Sequence, residues 1–169
     1  ALRSADIPVI STLAVYEAFD RLLATPEWVE AEEVQASLPI ETWEQLRDPA
    51  LRERIRNEPY VPAFSSWAGY TRDNLQRLHA AGVRILAGTD AGEFAVVHGP
   101  SIHRELELLV QAGLTPAEAI ASATLAPAEF LNSPRQGRIE SGYVADIVLV
   151  EGRPDEDIRA TRGVRGVWK

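Results

Sequence analysis

One short segment that is apolar on both faces constrains the fold more than any other feature. Residues 7–13 read Ile-Pro-Val-Ile-Ser-Thr-Leu, a β-branched run that predicts a buried strand of a parallel sheet. A second apolar run at residues 83–87 predicts another strand, and helical patterns lie between and after the two. This alternation of helix and strand indicates an α/β fold.

The length limits how much of an α/β fold the chain can contain. Its 169 residues suffice for one domain with a core, whereas a complete (β/α)8 barrel needs about 250 residues. The chain begins with Ala1 and contains no methionine, so we expect it to be part of a longer protein.

The charge and the missing cysteines narrow the function classes. A net charge of −8 disfavours binding to nucleic acid and to anionic membrane surfaces. No apolar run approaches the roughly 18 residues of a membrane span. With no cysteine present, disulfides, thiolate metal sites and cysteine nucleophiles are excluded. We expect a cytoplasmic protein that binds neither nucleic acid nor membrane.

The helices are predicted from apolar spacing and from helix-ending residues. Residues 15–57 are helical but interrupted by prolines, and they form either an insertion or lid, placed at about 15–64, or a surface excursion without function. Ser65 or Ser66 is expected to cap a helix that ends before Gly82. Further helices are expected at 101–112, from the Thr115–Glu118 capping box to about 123, and at 127–131.

After Pro134 the pattern changes to short β segments separated by glycine and proline turns. Strands are predicted at residues 138–139, 145–150 and 163–168. We therefore expect a boundary near residue 134 between the helix–strand part of the chain and a small β part.

Asp90 is the strongest candidate for chemistry. It stands in Gly88-Thr-Asp-Ala-Gly92, directly after the predicted strand 83–87, and catalytic groups of parallel α/β folds gather at the carboxyl ends of the strands. An aspartate there can bind a hard cation or accept a proton from water. The alternative is that Asp90 only caps the loop by accepting a hydrogen bond from a backbone N–H.

His98 and His103 follow in the next loop and first helical turn, and either can face the same cavity as Asp90 on the substrate side. The alternatives are that His98 shapes the loop and that His103 occupies the first helical turn. Three further sets are assigned structural positions. His79 is expected to interact with its helix C-terminus, Glu105 and Glu107 to form a solvated helix face, and Asp146 to make a turn contact.

An ordered set of motifs resembles the C-terminal half of the amidohydrolase superfamily, above all its imidazolonepropionase-like and prolidase-like branch. The motifs are Ile-Leu-Ala-Gly-Thr-Asp-Ala-Gly at 85–92, the segment 98–109 that begins His-Gly-Pro-Ser-Ile-His, Ala-Gly-Leu-Thr-Pro-Ala-Glu-Ala at 112–119, Ala-Thr-Leu-Ala-Pro-Ala at 123–128, Gly-Arg-Ile-Glu-Ser-Gly-Tyr-Val-Ala-Asp-Ile-Val-Leu at 137–149 and Pro-Asp-Glu-Asp-Ile at 154–158.

The resemblance implies a C-terminal portion of a (β/α)8 TIM-type barrel plus strands of a small β-sandwich. Residues 1–134 would be the barrel part, with 7–13 as its seventh strand, and residues 135–169 would belong to the sandwich. Asp90 would end the eighth strand, bind a divalent metal, commonly zinc, and carry the proton of the attacking hydroxide. The implied activity is hydrolysis of amide or cyclic amide C–N bonds in a small-molecule substrate.

The chain departs from the family pattern because it lacks the His-x-His of strand one, the bridging lysine and the histidines of strands five and six. A lone carboxylate does not hold zinc. We therefore expect the isolated chain to be inactive, to bind no metal by itself, and to need a missing N-terminal half or a homo-oligomeric partner. The alternative is a non-catalytic fragment or assembly piece that works only with a partner polypeptide.

Overall fold

The computed structural model describes residues 2–169 and shows an α/β fold with two small sheets. The strands β1 (Val9–Ser11) and β2 (Ile85–Ala87) pair in parallel, residue for residue. The strands β3 (Ile147–Val150) and β4 (Val164–Trp168) form an antiparallel pair with one register shift. All four observed strands lie within predicted ones. The predicted strands 7–13, 83–87, 145–150 and 163–168 contain β1, β2, β3 and β4, respectively.

Eight α-helices occupy much of the remaining described chain. In order they are α1 (Leu13–Ala24), α2 (Glu32–Gln35), α3 (Ile40–Arg47), α4 (Pro49–Arg56), α5 (Val61–Ala80), α6 (Pro100–Gln111), α7 (Pro116–Ala123) and α8 (Leu125–Phe130). Short 3-10 turns cover Arg3–Ala5, Pro26–Glu30 and Ile158–Arg162. Within residues 2–169 no helix is both long enough and apolar enough to cross a membrane.

Two sequence predictions of secondary structure were wrong. α5 begins at Val61, ahead of Ser65 and Ser66, because Pro62 stands in the first turn, where its missing N–H and fixed φ suit a helix. Residues 138–139 form no strand. Ile139 is 88% exposed, and no strand within residues 2–169 pairs with this segment.

The start of α7 confirms the predicted capping box. The Thr115 hydroxyl accepts a hydrogen bond from the Glu118 backbone N–H at 3.2 Å, and the Glu118 carboxylate accepts one from the Thr115 N–H at 2.8 Å. His79 lies in the last turn of α5, as expected, and its Nε2 atom is also 3.7 Å from Glu118 Oε2. The end of α5 is thereby joined to the start of α7.

The apolar side chains form two buried clusters. The first lies around β2, α6 and α7 and contains Leu13, Ala14, Leu75, Ile85, Leu106, Leu108, Leu109, Ala112, Leu114, Ala119 and Ile158. The second lies among the proline-interrupted helices and contains Phe19, Leu22, Val29, Leu46, Ile55 and Val61. Helix α1 contributes to both clusters, so it connects the helical segment to the sheet.

Glu105 is not on a solvated helix face, contrary to the sequence prediction. Its side chain is 0% exposed, and its carboxylate accepts hydrogen bonds from the backbone N–H groups of Leu13 at 3.1 Å and Ala14 at 2.8 Å. Thr12, at the N-cap of α1, provides no side-chain cap. A carboxylate from α6 therefore satisfies the first turn of α1, whose free N–H groups favour negative charge.

Glu107 is also not solvated, and this prediction was wrong for a similar reason. Its carboxylate accepts hydrogen bonds from Arg104 Nη1 at 2.8 Å and from Arg162 Nε at 2.7 Å. Arg104 in turn donates from Nε to Glu17 of α1 at 2.7 Å. Burial raises the pKa of Glu107, but the hydrogen bonds from Arg162 and Arg104 outweigh it and hold that pKa below its usual value. This chain of ion pairs joins α1, α6 and the 3-10 turn near the C-terminus.

Replacing Glu105 is expected to destabilise the fold strongly. Glu105→Ala leaves two buried N–H groups without acceptors and opens a cavity, so we expect a loss of about 3 kcal/mol or more in the free energy of unfolding. Urea denaturation measures this loss. The control Glu44→Ala removes an exposed side chain of α3 and should change stability by less than about 0.5 kcal/mol. Equal effects of the two substitutions would contradict the role given to Glu105.

The stability of the protein should also depend on pH through Glu105. Burial raises the pKa of its carboxyl above the ordinary 4.5, against hydrogen bonds from Ser11, Ala14 and Leu13 that lower it. Because the folded-state pKa is the higher one, protonation stabilises the fold, and this contribution is lost as pH rises from 4.5 through the raised pKa. The stability of the protein relative to Glu105→Gln should therefore be greatest at acid pH and fall across that window. A flat difference would contradict it.

Candidate active site

The loop after β2 begins with a glycine that cannot carry a side chain. A Cβ atom on Gly88 would lie 2.5 Å from Ile10 Cγ2, closer than such atoms approach, and in a tight contact of 3.0 Å with the Ser11 carbonyl oxygen. Gly88 therefore lets the end of β2 lie directly against β1. The next two residues, Thr89 and Asp90, leave the sheet at its carboxyl edge, which is the position predicted for Asp90.

Asp90 has a left-handed backbone and an exposed side chain. Its φ is 54°, a conformation that aspartate tolerates better than most residues. Its carbonyl oxygen accepts a hydrogen bond from the Glu93 N–H at 3.2 Å, but its carboxylate has no hydrogen bond or ion pair to any residue in the described range 2–169. The Asp90 side chain therefore does not cap the loop, and its carboxylate remains available to a ligand.

The two candidate histidines lie in different surroundings. His98 is exposed, and its Nε2 atom is 3.6 Å from the position that a Cβ on Gly92 would take, so its ring lies against the loop that carries Asp90. His103 is partly buried, with Nδ1 3.1 Å from Thr161 Oγ1. Burial and the nearby charge of Arg162 lower its pKa. The structure thus brings His98 to the Asp90 loop and His103 to the C-terminal 3-10 turn.

A cavity of about 300 Å³ lies between the Asp90 loop and the proline-interrupted helices. His98 and the residues 92–97 line one side of it, and Leu38, Thr42, Gln45, Leu46 and Leu51 line the other. Asp90 precedes this wall by two residues and is not part of it. The helical segment between β1 and α5 is therefore in contact with the loop that follows β2.

An aromatic cluster that was not predicted from the sequence holds the same loop. The ring of Phe94 stacks on that of Phe19 of α1, with centroids 5.3 Å apart, and Phe19 also meets Phe64 edge-to-face at 5.0 Å. Tyr60 and Trp67 extend the cluster. The helical spacing of residues 60, 64 and 67, which places three aromatic rings on one face, could have predicted this cluster.

The described residues do not fit a complete metal centre. Between residues 2 and 169 no group of three or more His, Cys, Asp or Glu side chains is arranged to hold a metal ion. Catalytic zinc sites typically use about three protein ligands and a water, and the carboxyl edge of β2 offers the single carboxylate of Asp90. Any such centre would need ligands from outside this part of the chain.

The sequence and the structure were compared with those of known proteins. The model of the amidohydrolase family matches residues 30–169, which is most of the chain. The chain belongs to the amidohydrolase family. Ochratoxinase from Aspergillus niger is 39% identical to this amidohydrolase chain over 150 residues, covering 76% of the chain and 30% of ochratoxinase.

Solved structures of amidohydrolases have a similar fold. The crystal structure of A. niger ochratoxinase superposes with a TM-score of 0.61 and 27% identity over 99% of this chain and 32% of its own. A Xaa-Pro dipeptidase with methionine bound in its active site gives 0.60 and 26%, over 98% of this chain and 39% of its own. The α/β fold is thus similar to that of amidohydrolases and consistent with part of a TIM-barrel-type domain. The chain spans about a third of the length of these relatives.

Adding a methyl group at Gly88 should push the two strands apart. We expect Gly88→Ala to lower the free energy of unfolding by about 1–3 kcal/mol because of the overpacking against Ile10. The double variant Ile10→Ala/Gly88→Ala, which removes the clashing Cγ2, should recover part of this loss. Gly69→Ala is the matched control, since nothing lies within 4 Å of its added methyl and alanine favours the interior of α5. Thermal unfolding of the four proteins tests the interpretation.

Proposed function

We propose that this chain is the part of a metal-dependent amidohydrolase that carries the catalytic aspartate, and that the enzyme hydrolyses an amide or cyclic amide C–N bond of a small molecule. The observation that carries the proposal is the exposed carboxylate of Asp90, which follows a parallel strand and has no partner within residues 2–169. Carboxyl ends of parallel strands are where catalytic groups of such folds lie.

The proposed role of Asp90 is the transfer of one proton. Its carboxylate accepts a proton from the water that attacks the carbonyl carbon, and the same oxygen returns that proton to the leaving nitrogen as the C–N bond breaks. A divalent metal, which is commonly zinc in the superfamily that the chain resembles, would polarise the carbonyl and lower the pKa of the water. Asp90 is the ligand that this chain would contribute, and His98 and His103 are proposed as substrate-side residues.

The domain arrangement is proposed in the same terms. Residues 1–134, with the helical insertion at about 15–64, would be the C-terminal part of the barrel, with β1 and β2 as neighbouring barrel strands. Residues 135–169 would contribute β3 and β4 to a small β-sandwich. The parallel β1–β2 pair and the separate antiparallel β3–β4 pair support this division.

The amide class of substrate is supported by the relatives. The name Xaa-Pro dipeptidase denotes cleavage of a dipeptide whose second residue is proline, and the bond that joins two residues is an amide. Ochratoxinase is named for a small-molecule substrate. We therefore propose small amides, including dipeptides, as the first substrates to assay.

A non-catalytic role in assembly is the second candidate. Ile7 precedes β1 and Ile10 lies in it, yet these residues are 51% and 59% exposed. Within residues 2–169, β1 pairs with β2 alone. Such an apolar edge is a template for association. This candidate predicts that the chain binds a second polypeptide without itself contributing to turnover.

Isothermal titration with zinc and amide assays distinguish these proposals. We expect the isolated chain to bind no stoichiometric zinc and to hydrolyse no dipeptide, because Asp90 supplies one ligand of about three. In an assembly completed by the rest of the barrel, Asp90→Asn should lower kcat by about 10²–10⁴-fold. Asparagine keeps the left-handed backbone and the shape of the side chain, so the loss reports the carboxylate.

The matched control is Asp73→Asn, which changes an exposed aspartate of α5 and should leave turnover unchanged. Full activity of Asp90→Asn in the completed assembly would overturn the catalytic role and leave the assembly role. Tight zinc binding and turnover by the isolated chain, both abolished by Asp90→Asn, would show instead that the site is complete without further ligands.

A further inference from the structure

A small cavity with an unusual set of hydrogen-bond donors lies between α1, the 3-10 turn Pro26–Glu30 and the start of α6. Its volume is about 90 Å³, enough for a group of a few heavy atoms. The residues that line it are Arg21, Trp28, Ala31, Glu33, Val34, Pro100, Ser101 and Arg162. None of the roles assigned so far accounts for this cavity.

Trp28 supplies the first unexplained donor. Its indole nitrogen is buried and has no hydrogen-bond partner, although a buried donor without an acceptor typically costs about 1–3 kcal/mol. The other tryptophan of this segment shows the ordinary arrangement, since Trp43 Nε1 donates to the Val29 carbonyl oxygen at 2.9 Å. The missing partner is therefore specific to Trp28, whose side chain lines this cavity.

Arg21 supplies the second. Its guanidinium carbon lies 4.4 Å from the centre of the Trp28 ring, and its guanidinium makes no hydrogen bond or ion pair with any residue from 2 to 169. Burial, followed by the charges of Arg104 and Arg162, lowers the pKa of Arg21 to about 10. The cation is thus held where its charge is poorly compensated, and a nearby anion would stabilise it.

The third donor is Arg162. Its Nε atom is taken by Glu107 at 2.7 Å, while its two terminal amino groups make no hydrogen bond in the described chain. Glu17 and Glu107 are already bound to Arg104. Of the cavity residues only Glu33 is acidic, and it is exposed, so that water and salt screen its charge.

We propose that this cavity binds one small oxyanion, a carboxylate or a phosphate group, between Arg21 and Arg162 and within reach of the Trp28 indole N–H. Guanidinium groups match the geometry of such oxyanions and hydrogen-bond them strongly. The wider neighbouring cleft, also lined by Arg21 and Trp28, contains Glu17, Asp20, Glu27 and Glu107. Its acidic side chains repel an anion, so the smaller cavity is the site.

Nuclear magnetic resonance of the tryptophan indole groups tests the proposal. The ¹⁵N-labelled chain is titrated with inorganic phosphate and separately with acetate, against sodium chloride at equal ionic strength. The Trp28 indole signal, assigned with Trp28→Phe, should shift with saturation for at least one oxyanion and not for chloride. The Trp43 signal should stay fixed, because its N–H already has an acceptor.

Two arginine variants complete the test. Arg21→Ala should weaken oxyanion binding by at least about tenfold, the loss expected for one charged hydrogen bond. Arg47→Ala is the matched control, since Arg47 lies 4.2 Å from the centre of the Trp43 ring and should not affect affinity. If Arg21→Ala fails to fold, as the Trp43 signal would show, Arg21→Gln replaces it.

The outcomes separate cleanly. Tighter binding of phosphate identifies a phosphate-bearing ligand, and tighter binding of acetate identifies a carboxylate. A Trp28 signal that responds to neither oxyanion, or that moves equally with chloride, overturns the proposal and leaves water as the acceptor. Equal affinity of Arg21→Ala and the unaltered chain also overturns it.

Discussion

The carboxylate of Glu105 is the contact on which the arrangement of the sheet and its loops depends. It belongs to α6 but binds the backbone N–H groups of Leu13 and Ala14, where β1 has just ended and α1 begins. Helix α6 itself follows the Asp90 loop. One buried group therefore fixes the residues after β1 relative to the residues after β2. Burial raises the pKa of the Glu105 carboxyl despite its hydrogen bonds. The surrounding packing therefore keeps this carboxylate buried although burial disfavours its charge.

The Asp90 loop is held at both of its ends while its carboxylate remains without a partner. At the start, Gly88 allows contact with β1, and further along Phe94 stacks on Phe19 of α1. The final turn of the loop is closed by a hydrogen bond from the Val97 N–H to the Ser101 hydroxyl at 2.8 Å. A functional group is best positioned by surroundings that fix its backbone, and these contacts do so without using the Asp90 side chain.

Sequence patterns predicted features that depend on residues close together in the chain. They missed features that depend on residues far apart in the chain. The strands follow from apolar runs, and the Thr115–Glu118 capping box depends on residues three apart. The burial of Glu105 depends on N–H groups 92 and 91 residues away. The pairing of Glu107 depends on Arg162, 55 residues away, and no periodicity encodes such a distance. The family motifs indicated the α/β amidohydrolase fold but not which charged residues of α6 would be buried.

The exposed apolar strand residues bear on the proposed metal site, which requires ligands in addition to Asp90. Successive residues of a strand point to opposite faces, yet Val148 and Leu149 of β3 are 57% and 52% exposed, so both faces of that pair lack cover. Ile10 of β1 is 59% exposed and lies against Gly88, two residues before Asp90. A polypeptide that buried Ile10 would therefore approach the Asp90 loop as well. The same contact would then cover the apolar edge and could bring the further ligands that the proposed metal site requires.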